Sequence, residues 1–239
     1  MWTEKSVFDP VTHIYRPDGV DGHVVPSVTQ ILQMVGAMNY NANNLDYVSY
    51  GPADLGVTKY KAIDWEYYKD KGSKVHLALQ YLDEGTLDLK TLDPELKGKV
   101  EAWLNFLKDS GFVSREIEKI YHNSTYGVCC TVDRVGHFSD GKSVILEIKP
   151  TAYETWHDLQ TAGQVTCMDV EYTFLYDRMS VHLSDNGSYK VHEHKNISDN
   201  GVFKAMITVA NWKVNQLGGW EKVLMLEHRL NLGFVRNVS

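Results

Sequence analysis

Apolar positions return every three to four residues between about Asp64 and Asp83, at Tyr68, Val75, Leu79 and Leu82 with Gly72 in the same row, and predict a helix with one buried stripe. His76 stands at the margin of that stripe, where it can turn inward. Asp93-Pro94-Glu95 starts a further helix, whose apolar face runs through Leu96, Val100, Trp103 and Leu107 to Gly111. The pattern then changes to three strand-like runs, EIEKIYH, GVCCTVDRVGHF and SVILEIKP, the last two joined by a turn at Ser139-Asp140-Gly141-Lys142. After Pro150 helical spacing returns in ETWHDLQTAGQVTCMDVEY and sets His157, Gln160 and Gln164 on one face. TFLYDRMSVHLS and SYKVHEH read as strands around Asp185-Asn186-Gly187. A closing helix carries Phe203, Met206, Ile207, Ala210, Val214 and Leu217 on one face and stops at Gly218-Gly219.

Before these elements, HIYRPDGVDGHVV predicts two short strands around Asp-Gly turns, the second ending at Pro26, and SVTQILQMVGAM predicts a short helix. Free N–H groups at the strand-to-helix junction make Ser27 and Thr29 candidate phosphate contacts, with an ordinary N-cap as the plainer alternative. From Asn39 to about Ala62 the pattern is irregular and predicts a loop with one short helix. The order of elements indicates an α/β protein of one domain, 1–239, with an N-terminal hairpin and helical region to about residue 62 and a core from about 63 onward.

Composition narrows the function. A formal charge of -7 argues against a general polyanion binder. It leaves room for a metal-dependent nuclease, where a divalent cation reverses the sign of clustered carboxylates. The three cysteines, Cys129, Cys130 and Cys167, form no C-x-x-C pair and support neither a zinc ribbon nor a disulfide framework. A thiol nucleophile is disfavoured as well, since adjacent cysteines on a strand face opposite ways. With no signal-like segment and no run near the roughly 20 apolar residues of a membrane span, a cytoplasmic protein without membrane contact is expected.

Candidate chemistry lies in TVDRVGHFSDGKSVILEIKP. Strand alternation projects Glu147 and Lys149 together, opposite Leu146 and Ile148, and the hairpin can bring Asp133 alongside. Two carboxylates beside an apolar run are costly unless compensated. Mg²⁺ or Mn²⁺, which prefer oxygen ligands, would compensate Asp133 and Glu147, with the Ile148 carbonyl as a third ligand. Lys149 would stabilise charge that develops on a phosphorus. Taken alone, an Asp with a later Glu-x-Lys is more often a solvated hairpin face than a site. Lys71, Lys74 and Lys149 with Trp65, Tyr67 and Tyr68 suggest a stacking groove for single strands, although aromatic residues in such numbers more often build a core.

Five ordered stretches, HIYRPDGVDGHVVPSVTQIL, KGSKVHLALQYLDEG, TVDRV, LEIKP and LQTAGQ, together resemble the PD-(D/E)XK nuclease superfamily and, within it, RecB-like exonucleases of phages and bacterial recombination systems. RMSVHLSDNGSYKVHEHKNISDNGVFKAMITVANWK is similar to the tail of phage-encoded members. The resemblance implies a restriction-endonuclease-like core, a central mixed β-sheet flanked by helices, and a deoxyribonuclease acting in DNA recombination, repair or replication, with recombination or replication proteins as partners. It implies Asp133, Glu147 and His76 as metal ligands, Lys149 as the catalytic lysine and Gln160 as the helix glutamine. Glu118 matches the upstream acid, but Glu116 shares its strand face and spacing does not separate the two. This chain departs from the family in having Cys130 where Gly is usual, Pro150 where Thr is usual, and Gln164 where an aromatic residue is usual. The iron–sulfur cluster of some branches is not expected, because three cysteines cannot supply its four ligands. A non-catalytic nucleic-acid-binding protein that retains the fold is the alternative.

Overall fold

A computed structural model of the chain describes residues 5–9, 14–19, 21–37, 65–168 and 176–225, with side chains of the second helix from residue 71 onward. The irregular segment 39–62 and the rings of Trp65, Tyr67 and Tyr68 lie outside the described residues. The elements, in chain order, are β1 Val7–Asp9, β2 Ile14–Arg16, α1 Val28–Val35, α2 Trp65–Asp83, a short 3₁₀ turn Pro94–Leu96, α3 Lys97–Ser110, β3 Val113–Asn123, β4 Val128–His137, β5 Ser143–Lys149, α4 Trp156–Cys167, β6 Tyr176–Leu183, β7 Tyr189–Glu193 and α5 Asp199–Leu217. Residues 220–225 add a helical turn and a half after the Gly218-Gly219 stop.

The main sheet runs β3-β4-β5-β6-β7, antiparallel throughout except for the parallel β5–β6 pair, whose connection is made by α4. A mixed sheet of this order leaves each face to be covered by helices. On one side, α1, α4 and α5 place Ile31, Leu32, Ala162, Val165, Phe203 and Ile207 against Val128, Cys130, Val132 and Ile145. On the other, α2 and α3 bury Val75, Leu79, Val100, Trp103 and Phe106 against Val144, Leu146, Ile148, Met179 and Val181. Each large apolar side chain so buried contributes about 1.5–3 kcal/mol. The strict alternation of β5 thus sends Leu146 and Ile148 toward α3 and leaves Glu147, with Ile145, facing α4. The approach of α4 is close: a Cβ on Gly163 would lie 2.6 Å from Val28 Cγ1 and 2.8 Å from the Phe203 ring.

The N-terminal region differs from the hairpin expected over 13–25. The partner of β2 is the earlier strand β1, paired from Val7↔Arg16 to Asp9↔Ile14, and the second run reaches β2 only through a bridge at Tyr15↔Val25. Pairing with β1 satisfies the backbone of a strand too short to rest on one bridge. Among the described residues no helix is long and apolar enough to cross a membrane.

Candidate active site

The site begins where the β4–β5 ladder stops. Its last paired residues toward the site are Arg134↔Leu146, and one step beyond, the Asp133 Oδ2 takes the Ile148 N–H at 2.7 Å in place of a backbone carbonyl. A carboxylate is thereby inserted between two strands that have begun to separate. Because N–H and C=O of one residue in an antiparallel pair point to the same neighbour, the Ile148 carbonyl is turned toward β4 as well.

Two groups, from α2 and β3, converge with Asp133 of β4. His76, near the middle of α2, brings its Nδ1 to 3.6 Å from Asp133 Oδ1 and 3.6 Å from Glu118 Oε1. Glu118 lies on β3 between the pairs Ile117↔Arg134 and Lys119↔Val132, which sets it across the ladder from Asp133. Its φ of 48° is a left-handed kink within the continuous strand. Ligand atoms of His76, Glu118 and Asp133 all fall within 4.8 Å of one another, and this trio could hold a metal ion. Glu116 does not join them: its carboxylate receives the Tyr121 hydroxyl. The equal footing that alternation gave the two glutamates is lost at the kink.

Glu147 is held apart from that trio. Its Oε1 accepts from Lys149 Nζ at 2.8 Å and from Gln160 Nε2 at 2.8 Å, and its Oε2 accepts from Gln164 Nε2 at 2.5 Å. The two glutamines, one turn apart on α4, reach it because α4 packs over the face of β5 that carries it. Lys149 also lies 5.0 Å from the centroid of the Trp156 ring.

The electrostatics follow from burial. Asp133 and Glu147 are 7% and 4% exposed. Burial and the charge of Glu147 push the Asp133 carboxyl up to about 7, against the pull of His76. Burial would raise Glu147 too, but the Lys149 ammonium and the Gln164 amide hold it below the usual carboxylate range. For His76 burial favours the neutral ring, and the carboxylates of Asp133 and Glu118 overturn this and lift it to about 9. At neutral pH the protonated imidazole is thus a positive charge between the two carboxylates.

Sequence reasoning missed the supports behind these groups. Arg134, fully buried, donates from Nε to Asp83 Oδ2 at 2.6 Å and from Nη1 to Glu118 at 3.2 Å, while Trp103 Nε1 donates to Asp83 Oδ1 at 2.8 Å. The Arg follows Asp133 directly, and a second charged residue in a strand whose other positions are mostly uncharged and buried was the available signal. The segment after Lys149 is also clamped. Lys99 Nζ donates to the carbonyls of Pro150 at 2.9 Å and Leu183 at 2.5 Å, and His182 Nδ1 lies 2.7 Å from the Thr151 carbonyl.

The remaining candidates stand elsewhere. Ser27 is 8% exposed, and its hydroxyl takes the Gln30 N–H at 3.1 Å while the Gln30 side chain takes the Ser27 N–H at 2.8 Å, an N-terminal capping box beside Cys129. Thr29 follows, half-buried, in the first turn of α1. His157 shares the α4 face of the glutamines but takes the Glu154 N–H at 3.1 Å. All three cysteines are free and buried, and burial pushes the Cys129 thiol up, which suits packing better than nucleophilic attack.

No protein-family model matches the chain, and no curated protein does. Among solved structures it is similar to the crystal structure of LHK-Exo in complex with dAMP, at 14% identity and a TM-score of 0.33, over 87% of this chain and 94% of that one. That TM-score is too low for the likeness to bear on function.

Proposed function

We propose that the chain is a divalent-metal-dependent deoxyribonuclease of PD-(D/E)XK type, an exonuclease that acts in DNA recombination, repair or replication, and that residues 63–239 form its catalytic core. The observation that carries this reading is the convergence of His76, Glu118 and Asp133 within 4.8 Å, next to a Glu147–Lys149 pair 2.8 Å apart on the neighbouring strand. The donor set fits Mg²⁺ or Mn²⁺, since it offers hard carboxylate oxygens and one imidazole, with the Ile148 carbonyl turned the same way. His76, Glu118 and Asp133 would hold the ion, with Glu147 as a further carboxylate. When bound, it supplies Lewis acidity to a phosphoryl oxygen and acidifies water.

The chain does the rest. Phosphodiester hydrolysis forms one P–O bond to the oxygen of water and breaks the P–O bond to one sugar, whose oxygen must gain a proton. Lys149 brings a positive charge to this end of β5 and stabilises negative charge as it builds on the phosphoryl oxygens. It does so with the N–H groups that Glu147 Oε1 does not engage. Gln160, on the same Oε1, keeps that carboxylate oriented. Pro150 and Thr151, clamped by Lys99 and His182, keep the backbone that carries Lys149 from moving.

The test is digestion of linear and circular DNA, labelled at the 5′ or 3′ end, in Mn²⁺, Mg²⁺ and EDTA. Cleavage that requires the cation and falls by about 10²–10³-fold in Lys149→Ala is expected, since a preorganised donor typically contributes that much. No cleavage of either strand form by the parent protein would overturn the reading and favour a nucleic-acid-binding role.

A further inference from the structure

Gln164 occupies the helix position where the sequence departs from the pattern it resembles, and it is 1% exposed. A buried amide is costly unless its polar atoms are paired. Here the cost is borne twice, for the Oε1 atoms of both Gln160 and Gln164 are buried without a hydrogen-bond partner. What both side chains gain is a donor contact to one carboxylate. Between them and Lys149, the two oxygens of Glu147 are used unequally. A carboxylate oxygen has about two acceptor sites. Oε1 takes two donors, Lys149 and Gln160, whereas Oε2 takes Gln164 at 2.5 Å and has one acceptor site beyond it.

We infer that Gln164 is the positioning residue of Glu147, fixing the carboxylate so that Oε2, rather than Oε1, is the oxygen offered to the divalent cation. This deepens the proposed function and rests on its metal reading. The alternative, a glutamine that merely fills the core, would need no donor aimed at Oε2. A residue that orients a ligand without touching the ion typically changes metal affinity by about 10–100-fold.

Calorimetric titration of the full chain with Mn²⁺ tests this, with thermal unfolding in EDTA measured beside it. The parent binds Mn²⁺. Gln164→Leu, or Gln164→Met should the first variant not fold, weakens binding by about tenfold or more, and the unfolding midpoint in EDTA falls because the buried Glu147 Oε2 loses its donor. In a Glu147→Gln background, which keeps His76, Glu118 and Asp133 for measurable binding, the same substitution changes the affinity by less than about twofold, because Gln164 acts through Glu147. Unchanged Mn²⁺ affinity in both single variants would overturn the inference and leave the metal reading intact, and so would an equal loss in the Glu147→Gln background. A parent that binds no Mn²⁺ would overturn the metal reading, and the inference with it.

Discussion

Glu118 is an acid in a backbone conformation that suits glycine. A left-handed φ costs an L-residue about 1–2 kcal/mol, and at 48° Glu118 bears that cost in the middle of a strand. What holds it is charge: His76 at 3.6 Å and Arg134 at 3.2 Å. Arg134 in turn depends on Asp83, buried at 6% side-chain exposure. Removing one member of a buried pair costs about 3–5 kcal/mol, because the other charge stays behind without a partner. Arg134→Met should therefore lower stability by about that amount, and Arg134→Met/Asp83→Asn should recover at least half of it, as read from urea unfolding. A double variant no more stable than the single one would show that the charge of Asp83 is not the cause. At this scale spacing and motif order singled out His76, Asp133, Glu147, Lys149 and Gln160, side chains that the fold brings to the same end of β4 and β5. The sequence could not separate Glu118 from Glu116, because one backbone kink decides between them. Nor could it show the contact of Gln164 with Glu147, which depends on how α4 sits over β5.

At the scale of elements, α4, β6 and β7 meet over a buried cluster of polar rings. His194 lies between Thr161 Oγ1 at 2.7 Å and Ser180 Oγ at 3.1 Å, and His182 Nε2 lies 2.8 Å from the same Ser180 hydroxyl. Burial lowers all three histidines of this layer: His157 from 6.5 to about 2, His194 to about 4, and His182 likewise downward. The unfolded chain therefore binds up to three protons below 6.5 that the folded one refuses, and stability rises with pH from about 4 to about 6.5. Asp133, raised from 3.8 to about 7, opposes this with a single proton. Above 6.5 the sign reverses, because His76 keeps its proton to about 9 in the fold and loses it when unfolded. Denaturation midpoints in EDTA should peak between about pH 6 and 7, and His76→Gln should flatten the alkaline fall. A midpoint still rising at pH 8.5 would contradict the assignment. These elements were themselves legible: α4, β6 and β7 fall where periodicity put them, as do α1 with its Ser27 cap and α3 with its Gly111 stop. β1 was not, since three residues carry no period and only the pairing with β2 defines it.

For the whole molecule, the α/β class followed from the alternation of periods along the chain, whereas the order β3-β4-β5-β6-β7 did not, because strand pairing is a contact between distant positions that local pattern does not encode. Charge is the property of the whole that bears most on function. A chain with a net charge of -7 answers Glu118, Asp133 and Glu147 with His76, Arg134 and Lys149, which leaves little net attraction for a phosphodiester at this face. A divalent cation adds two positive charges at the same position. DNA binding should therefore depend on the cation even when cutting is prevented. Lys149→Ala, with a fluorescent oligonucleotide, should bind at least about tenfold more tightly in Mn²⁺ than in EDTA, as read by anisotropy. Asp133→Asn should narrow that ratio by weakening the hold on the ion. The dependence on monovalent salt should be shallow, because few lysines and arginines are available to release counterions from the duplex. Equal affinity in Mn²⁺ and EDTA would place the phosphate away from the acidic cluster, and the cation would then have no part in bringing DNA to this face.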